Sequence, residues 1–181
     1  GESDRLAVEA AAVRLGHDLA AVGATVVSMH GITNLHHHLA RLAGDPVRRR
    51  IVGLFDVGEI AYVQHTVAGA GLGAADADLA SIGFFACEPD LEGELIRALG
   101  SARVEELLAE HGELARFRTF QNQPYQRGRP VEAQLRRFMG THSGRKALFA
   151  PVFVEALDAA DIPVVFSALV ATAVGADAVR S

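Results

Sequence analysis

Tryptophan is absent from these 181 residues, and lysine and cysteine occur once each, at Lys146 and Cys87. With a single cysteine no disulfide framework is possible, so the fold must close on side-chain packing. Cys87 ends the apolar run Ile82-Gly83-Phe84-Phe85-Ala86-Cys87 and reads as a small buried hydrophobe rather than a nucleophile or ligand. No apolar stretch is long enough to span a bilayer, and there is no basic-then-apolar amino terminus of signal type. Those two absences predict a cytoplasmic protein that does not engage a membrane. Aromatic residues are only 6% of the chain, so the core must come from Ala, Val, Leu, Ile and the nine Phe. Half of the composition is apolar, sufficient for one domain of this length.

What is present is an uneven charge. Between Glu113 and Lys146 lie eight bases (Arg116, Arg118, Arg127, Arg129, Arg136, Arg137, Arg145 and Lys146) against two acids, Glu113 and Glu132. That excess of six, set against a net charge of −5, leaves −11 on the remainder of the chain. A basic segment on an acidic body suits a protein that holds metal ions in one place and a polyanion backbone in another; charge alone, however, favours a solvated helix face.

Hydrophobic spacing predicts an opening helix over 3–19, with Ser3 or Asp4 as N-cap. A β-rich run, Ala24-Thr25-Val26-Val27-Ser28-Met29, and a helix over 34–42 follow. The βα rhythm then repeats through Arg50-Ile51-Val52-Gly53-Leu54-Phe55, which stops at Asp56, and through the run from Ser81 to Cys87, which stops just before Glu88 and Asp90. Such apolar runs belong to strands buried on both faces, and reactive groups gather beyond the carboxyl ends of parallel strands. The stretch 68–77 reads as a helix end and a loop; helices are predicted over 91–99, 104–110, 113–120, from Pro130 to Met139, and over 145–159. The expectation is one domain over 1–181, with an α/β core over 1–100 and a mostly helical extension over 101–181.

Gly1-Glu2-Ser3-Asp4 resembles the end of the TOPRIM signature, in which a strand closes on Glu-Gly and an acid follows four residues after that Glu. Asp56-Val57-Gly58-Glu59 stands where that family usually has Asp-x-Asp, Asp90-Leu91-Glu92 resembles its third acidic motif, and Lys146 in Ser143-Gly144-Arg145-Lys146 resembles the late lysine of OLD nucleases. Arg118-Thr119-Phe120-Gln121 and Gln134-Leu135-Arg136-Arg137-Phe138-Met139-Gly140-Thr141 look like an actinobacterial branch of the OLD-family ATP-dependent endonucleases. The resemblance implies a TOPRIM-like, Rossmann-like parallel sheet flanked by helices, a Mg²⁺- or Mn²⁺-dependent DNA endonuclease using two ions, an ATPase domain upstream, and a homodimer. It places the first strand and its Glu upstream of Gly1. Gly58 and that leading Glu also leave room for a second reading, a TOPRIM-like nucleic-acid-binding or regulatory module without catalysis.

Asp4, Asp56, Asp90 and Glu92 fall at strand-to-helix junctions, and such hard oxygen donors suit Mg²⁺, with water and phosphate completing the shell. Lys146 would stabilise charge on the phosphate, and as the only lysine among 17 basic residues it hints at a need for an ammonium. Arg127, Arg129, Arg136 and Arg137 would contact phosphates. Each has a plainer reading: Asp4 and Asp90 as helix N-caps, Glu92 and Glu94 as first-turn acids, Glu59 as helix surface. Asp56 is the best of the acids, because a carboxylate directly ending an apolar strand is not explained by solvation. His36-His37-His38 cannot chelate jointly, since consecutive helical residues point apart. The segment Gly140-Thr141-His142-Ser143-Gly144-Arg145-Lys146 has the wrong spacing for a Walker A loop, which excludes ATP binding here.

Overall fold

The computed structural model describes residues 1–45 and 49–175. Two short strands, β1 (Gly53–Asp56) and β2 (Phe84–Cys87), pair in parallel with Asp56 opposite Cys87. They are joined by helix α3 (Ile60–Gly69), as parallel strands require a crossover. Around them lie α1 (Glu2–Arg14), α2 (Leu35–Ala43), α4 (Leu91–Leu99), α5 (Ser101–Glu110), α6 (Leu114–Gln121), α7 (Val131–Met139), α8 (Arg145–Glu155) and α9 (Val164–Val174). The protein is α/β but mostly helical.

The strands separate two apolar clusters, as alternating side chains must when a sheet is covered on both faces. Phe55 and Phe84 join Leu35, Leu39, Val63 and Val67 on one face. Leu54 and Phe85 pack on the other, against the larger cluster built from α1 and α4 to α9. That larger core draws on residues from Ala7 to Leu169, so helices from the latter half of the chain pack directly on the first. Eight of the nine Phe are buried, as the shortage of other aromatics demanded. Gly53 lets the strands approach: a Cβ there would sit 2.7 Å from the Phe84 ring.

Several expected elements differ. No strand forms over 24–29; strand propensity reflects pairing and packing on a pleated surface, and this segment pairs with neither strand, although Val26 and Met29 pack on the two clusters that flank them. Instead the Asn34 side-chain amide donates to the Met29 carbonyl at 2.9 Å. Helix α1 stops at Arg14 rather than running to Leu19, because Gly16 takes a left-handed turn at φ 81° and His17 N–H closes on the Ala12 carbonyl. Neither Ser3 nor Asp4 is its N-cap; that position is Gly1. Helix α8 ends at Glu155, four residues before Ala159, and the Leu157 carbonyl accepts a 2.6 Å hydrogen bond from Arg14 Nε. Helix α9 was not foreseen: it is apolar nearly throughout, so it carries almost no amphipathic signal.

Candidate metal centre and basic face

Asp56, Asp90 and Glu92 follow the carboxyl ends of the two paired strands. Asp56 is the last residue of β1. Its backbone N–H donates to Glu59 Oε2 at 3.4 Å, which ties the following 3₁₀ turn back onto the strand. Beyond β2 the chain turns through a cis Glu88–Pro89 peptide bond into α4. Asp90 caps that helix, Oδ1 accepting from Gly93 N–H at 2.9 Å. Gly93 is needed there, since a Cβ would lie 2.6 Å from Pro89 Cδ. Glu92 is buried in the first turn of α4, and Asp4 lies in the first turn of α1 against the Gly1 amino group.

These carboxylates share one electrostatic environment. The Asp56 carboxyl is pushed up to about 6, first by burial and then by the charges of Asp4, Asp90, Glu59 and Glu92. Asp56 therefore feels the charge of the three other acids expected from the sequence, and of Glu59 as well. Among the described residues, however, no group of three or more carboxylate, imidazole or thiol side chains is placed to hold a metal ion. The donor chemistry still fits a hard divalent cation: oxygen ligands only, crowded enough that one of them is driven toward its neutral form.

Cations from the latter half of the chain already lie on two of the acids. Lys146 Nζ donates to Glu92 Oε2 at 2.8 Å, from the first turn of α8. Burial alone would lower the ammonium, but the hydrogen bond and charge of Glu92, with Asp90 and Asp56 behind it, hold its pKa above the ordinary value. Glu92 is raised by burial more than Lys146 can lower it. Arg136 Nε donates to Asp90 Oδ2 at 2.7 Å, so both oxygens of Asp90 are engaged.

The basic segment is less available than its charge suggests. Arg118 grips Glu105 with two nitrogens, Arg116 pairs with Glu113, and buried Arg145 donates to Glu113, to the Phe138 carbonyl and to Thr141. Of the four arginines expected to hold phosphate, Arg136 is on Asp90, while Arg127 and Arg129 donate Nε to the carbonyls of Asn122 and Tyr125. Arg137 alone of the four has no partner among the described residues.

Sequence reasoning missed Tyr125, a 61% exposed aromatic on the loop between α6 and α7. An aromatic inside the otherwise polar run Gln121-Asn122-Gln123-Pro124-Tyr125-Gln126-Arg127 was the available signal. In the three-histidine run the His36 and His37 rings lie 3.7 Å apart, closer than consecutive helical positions led us to expect, while His36 Nδ1 meets the Thr33 carbonyl and His38 Nδ1 lies by Arg41.

No protein-family model matches the chain, and no curated protein does. Two solved structures match it, both of the C-terminal region of the OLD protein of Xanthomonas campestris pv. campestris. The one phased with mercury has a TM-score of 0.69 at 21% identity, covering 99% of this chain and 94% of that one. The other, phased with platinum, has a TM-score of 0.72 at 20% identity, covering 99% and 91%. The similarity runs end to end, and the chain thus has the fold of the C-terminal region of an OLD protein.

Proposed function

We propose that the chain is a TOPRIM-like nuclease domain that hydrolyses DNA phosphodiester bonds with Mg²⁺ or Mn²⁺, working beside an ATPase domain in a larger, dimeric protein. The observation that carries the reading is the group of carboxylates around Asp56 beyond the sheet, with Lys146 at its edge. Asp56, Asp90, Glu92 and Asp4 would hold the cations, and Glu59 supplies an oxygen where Gly58 has none. Two bound divalent ions would supply the Lewis acidity that activates water and neutralises the leaving oxygen. Arg136, released from Asp90, and Arg137 would hold the flanking phosphates. Lys146, released from Glu92, would donate to a phosphate oxygen as negative charge builds there.

The test is cleavage of plasmid and linear DNA by the full-length protein with Mg²⁺ or Mn²⁺, comparing wild type with Lys146→Ala and Asp56→Asn. An ammonium acting on the transition state predicts a loss of about a hundredfold for Lys146→Ala with little change in DNA affinity. Lys146→Arg should rescue poorly, because a planar fork does not replace a compact ammonium.

A second reading has its own observation: Asp90 and Glu92 are both neutralised by protein cations, as in a module that has dispensed with metal. Wild-type protein that binds DNA but never cuts it with either ion establishes that module instead.

A further inference from the structure

Helix α7 also borders a feature that metal chemistry does not use. A groove of about 350 Å³ opens between α6, the 122–130 loop and α7, lined by Arg116, Thr119, Phe120, Tyr125, Arg137 and Phe138. We propose that it seats one unpaired nucleotide of single-stranded DNA, the base stacked on Tyr125 and the phosphate held by Arg137 and Arg116. The choice of DNA rests on the nuclease reading above; the groove itself does not.

Three observations point to this occupant. First, the groove joins an exposed ring to cations. Tyr125 is 61% exposed with no partner for its hydroxyl among the described residues, Arg137 has none for its guanidinium, and the Arg116 side chain, 70% exposed, is tethered only to Glu113. Aromatic faces beside a positive track are how proteins hold single strands, because every base offers a π-face only when unpaired. A phosphate matches the unpaired Arg137 fork with two parallel hydrogen bonds while the base takes the ring beside it.

Second, the platform is built rather than loose. Buried Gln134 donates to the carbonyls of Gln126 and Arg129 at 2.9 and 3.1 Å and accepts from Gln121 Nε2 at 2.7 Å. Arg129 Nε holds the Tyr125 carbonyl itself at 2.8 Å. The loop that carries the ring is pinned to both helices, so stacking would lose little ordering entropy.

Third, α7 links the groove to the cations that lie on the acids. Arg136 and Arg137 are consecutive on α7, one on Asp90 and the other in the groove, and a Cβ at Gly140, just past the helix, would lie 3.9 Å from Lys146 Cε. A strand leaving the groove over the end of α7 would run toward Lys146, which lies on Glu92. The site therefore favours a frayed or single-stranded segment next to the phosphate being cut.

The test is fluorescence anisotropy on the full chain with excess EDTA, which keeps the readout independent of cleavage and metal. The probes are oligo(dT) of about 12 nucleotides, within the usual single-strand site size, the matching oligo(rU), and a blunt duplex of equal length. Tyr125→Ala should weaken oligo(dT) binding about tenfold, as the loss of one aromatic stack predicts. It should leave the duplex within about twofold, and Tyr125→Phe should keep wild-type affinity. Arg137→Ala should weaken oligo(dT) and flatten its salt dependence by about one phosphate contact. Equal losses on single strand and duplex, no loss with Tyr125→Ala, or tighter binding of oligo(rU) than of oligo(dT) would overturn the proposal. Thermal melting guards against misfolding, and Tyr125→Phe supplies a variant that preserves the ring. Absence of cleavage alongside Tyr125-dependent strand binding sinks the nuclease reading and leaves the groove standing.

Discussion

Replacing Asp56 by Asn should make the metal-free protein more stable at pH 7.5, and the gain should vanish in acid. The carboxyl is raised from its ordinary 3.8 to about 6 in the folded chain, by burial and then by four neighbouring acids. Raising a carboxyl pKa means that the folded state holds a proton the unfolded chain has given up, so stability is fully present below about pH 4 and is lost as pH rises through about 6. At about 1.4 kcal/mol per pH unit the loss is at most about 3 kcal/mol, and because water reaches part of the carboxyl, roughly 1–2 kcal/mol is expected. The Asn side chain is close in shape and carries no charge, so it escapes that loss. For a chain of this length the gain corresponds to about 3–6 °C in Tm. Melting in EDTA at pH 7.5 and at pH 4 measures it, and repeating the pH 7.5 melt with Mg²⁺ should stabilise the wild type but not Asp56→Asn, since a bound cation neutralises the field that the variant no longer feels. An Asn variant that melts at or below wild type at pH 7.5, or that gains equally at both pH values, would show that Asp56 is not held against its neighbours' charge.

Gly58→Asp tests whether the turn after β1 lacks only an acid. A Cβ at Gly58 meets nothing within 4 Å, so the substitution is sterically open and should raise Mn²⁺ affinity about tenfold by calorimetry, as added carboxylate charge does; unchanged affinity would place the metal elsewhere. Arg136→Ala should raise Mn²⁺ affinity by up to about fivefold, the ratio set by an exposed ion pair of about 1 kcal/mol, because it frees Asp90 Oδ2. A fall in affinity would mean that the arginine orients the acid instead of competing for it. Duplex binding should show a shallow salt dependence, with a log–log slope of about −3, since Arg127, Arg129 and Arg137 alone among the eight bases lack an acidic partner; a slope near −7 would require the internal ion pairs to open on DNA.

The acids were legible because they end elements. Asp56 closes a strand and Asp90 opens a helix, and an apolar run that stops at a carboxylate places it at the sheet's edge whatever the rest of the chain does. Their cationic partners were not, since Arg136 reaches Asp90 across 46 residues and Lys146 reaches Glu92 across 54, distances along the chain that no local spacing encodes. The run 24–29 misled for a related reason: its β-branched residues satisfied a local preference, and strand formation depends on a neighbour that the run does not have. Helix α9 escaped because a buried helix without a polar stripe shows no 3.6-residue period.

The same long-range pairing changes what the basic segment can mean. An excess of six positive charges reads, in one dimension, as a phosphate track. In three dimensions Arg118 and Arg145 are spent holding helices together, through Glu105 and Glu113, and Arg136 and Lys146 lie on the acids that a metal would need. Those last two pairs unite the demands of the site. With neither metal nor phosphate present, the carboxylates repel one another and the protein's own cations offset part of that repulsion. On the proposed reading, Arg136 and Lys146 would leave Asp90 and Glu92 to a divalent ion and would take a phosphate as their new partner. Metal and nucleic acid should then favour each other's binding, and because linkage is reciprocal the coupling must have the same size from either side. On that reading, two of the charges that look excessive along the chain, Arg136 and Lys146, would be exchangeable partners of the acids.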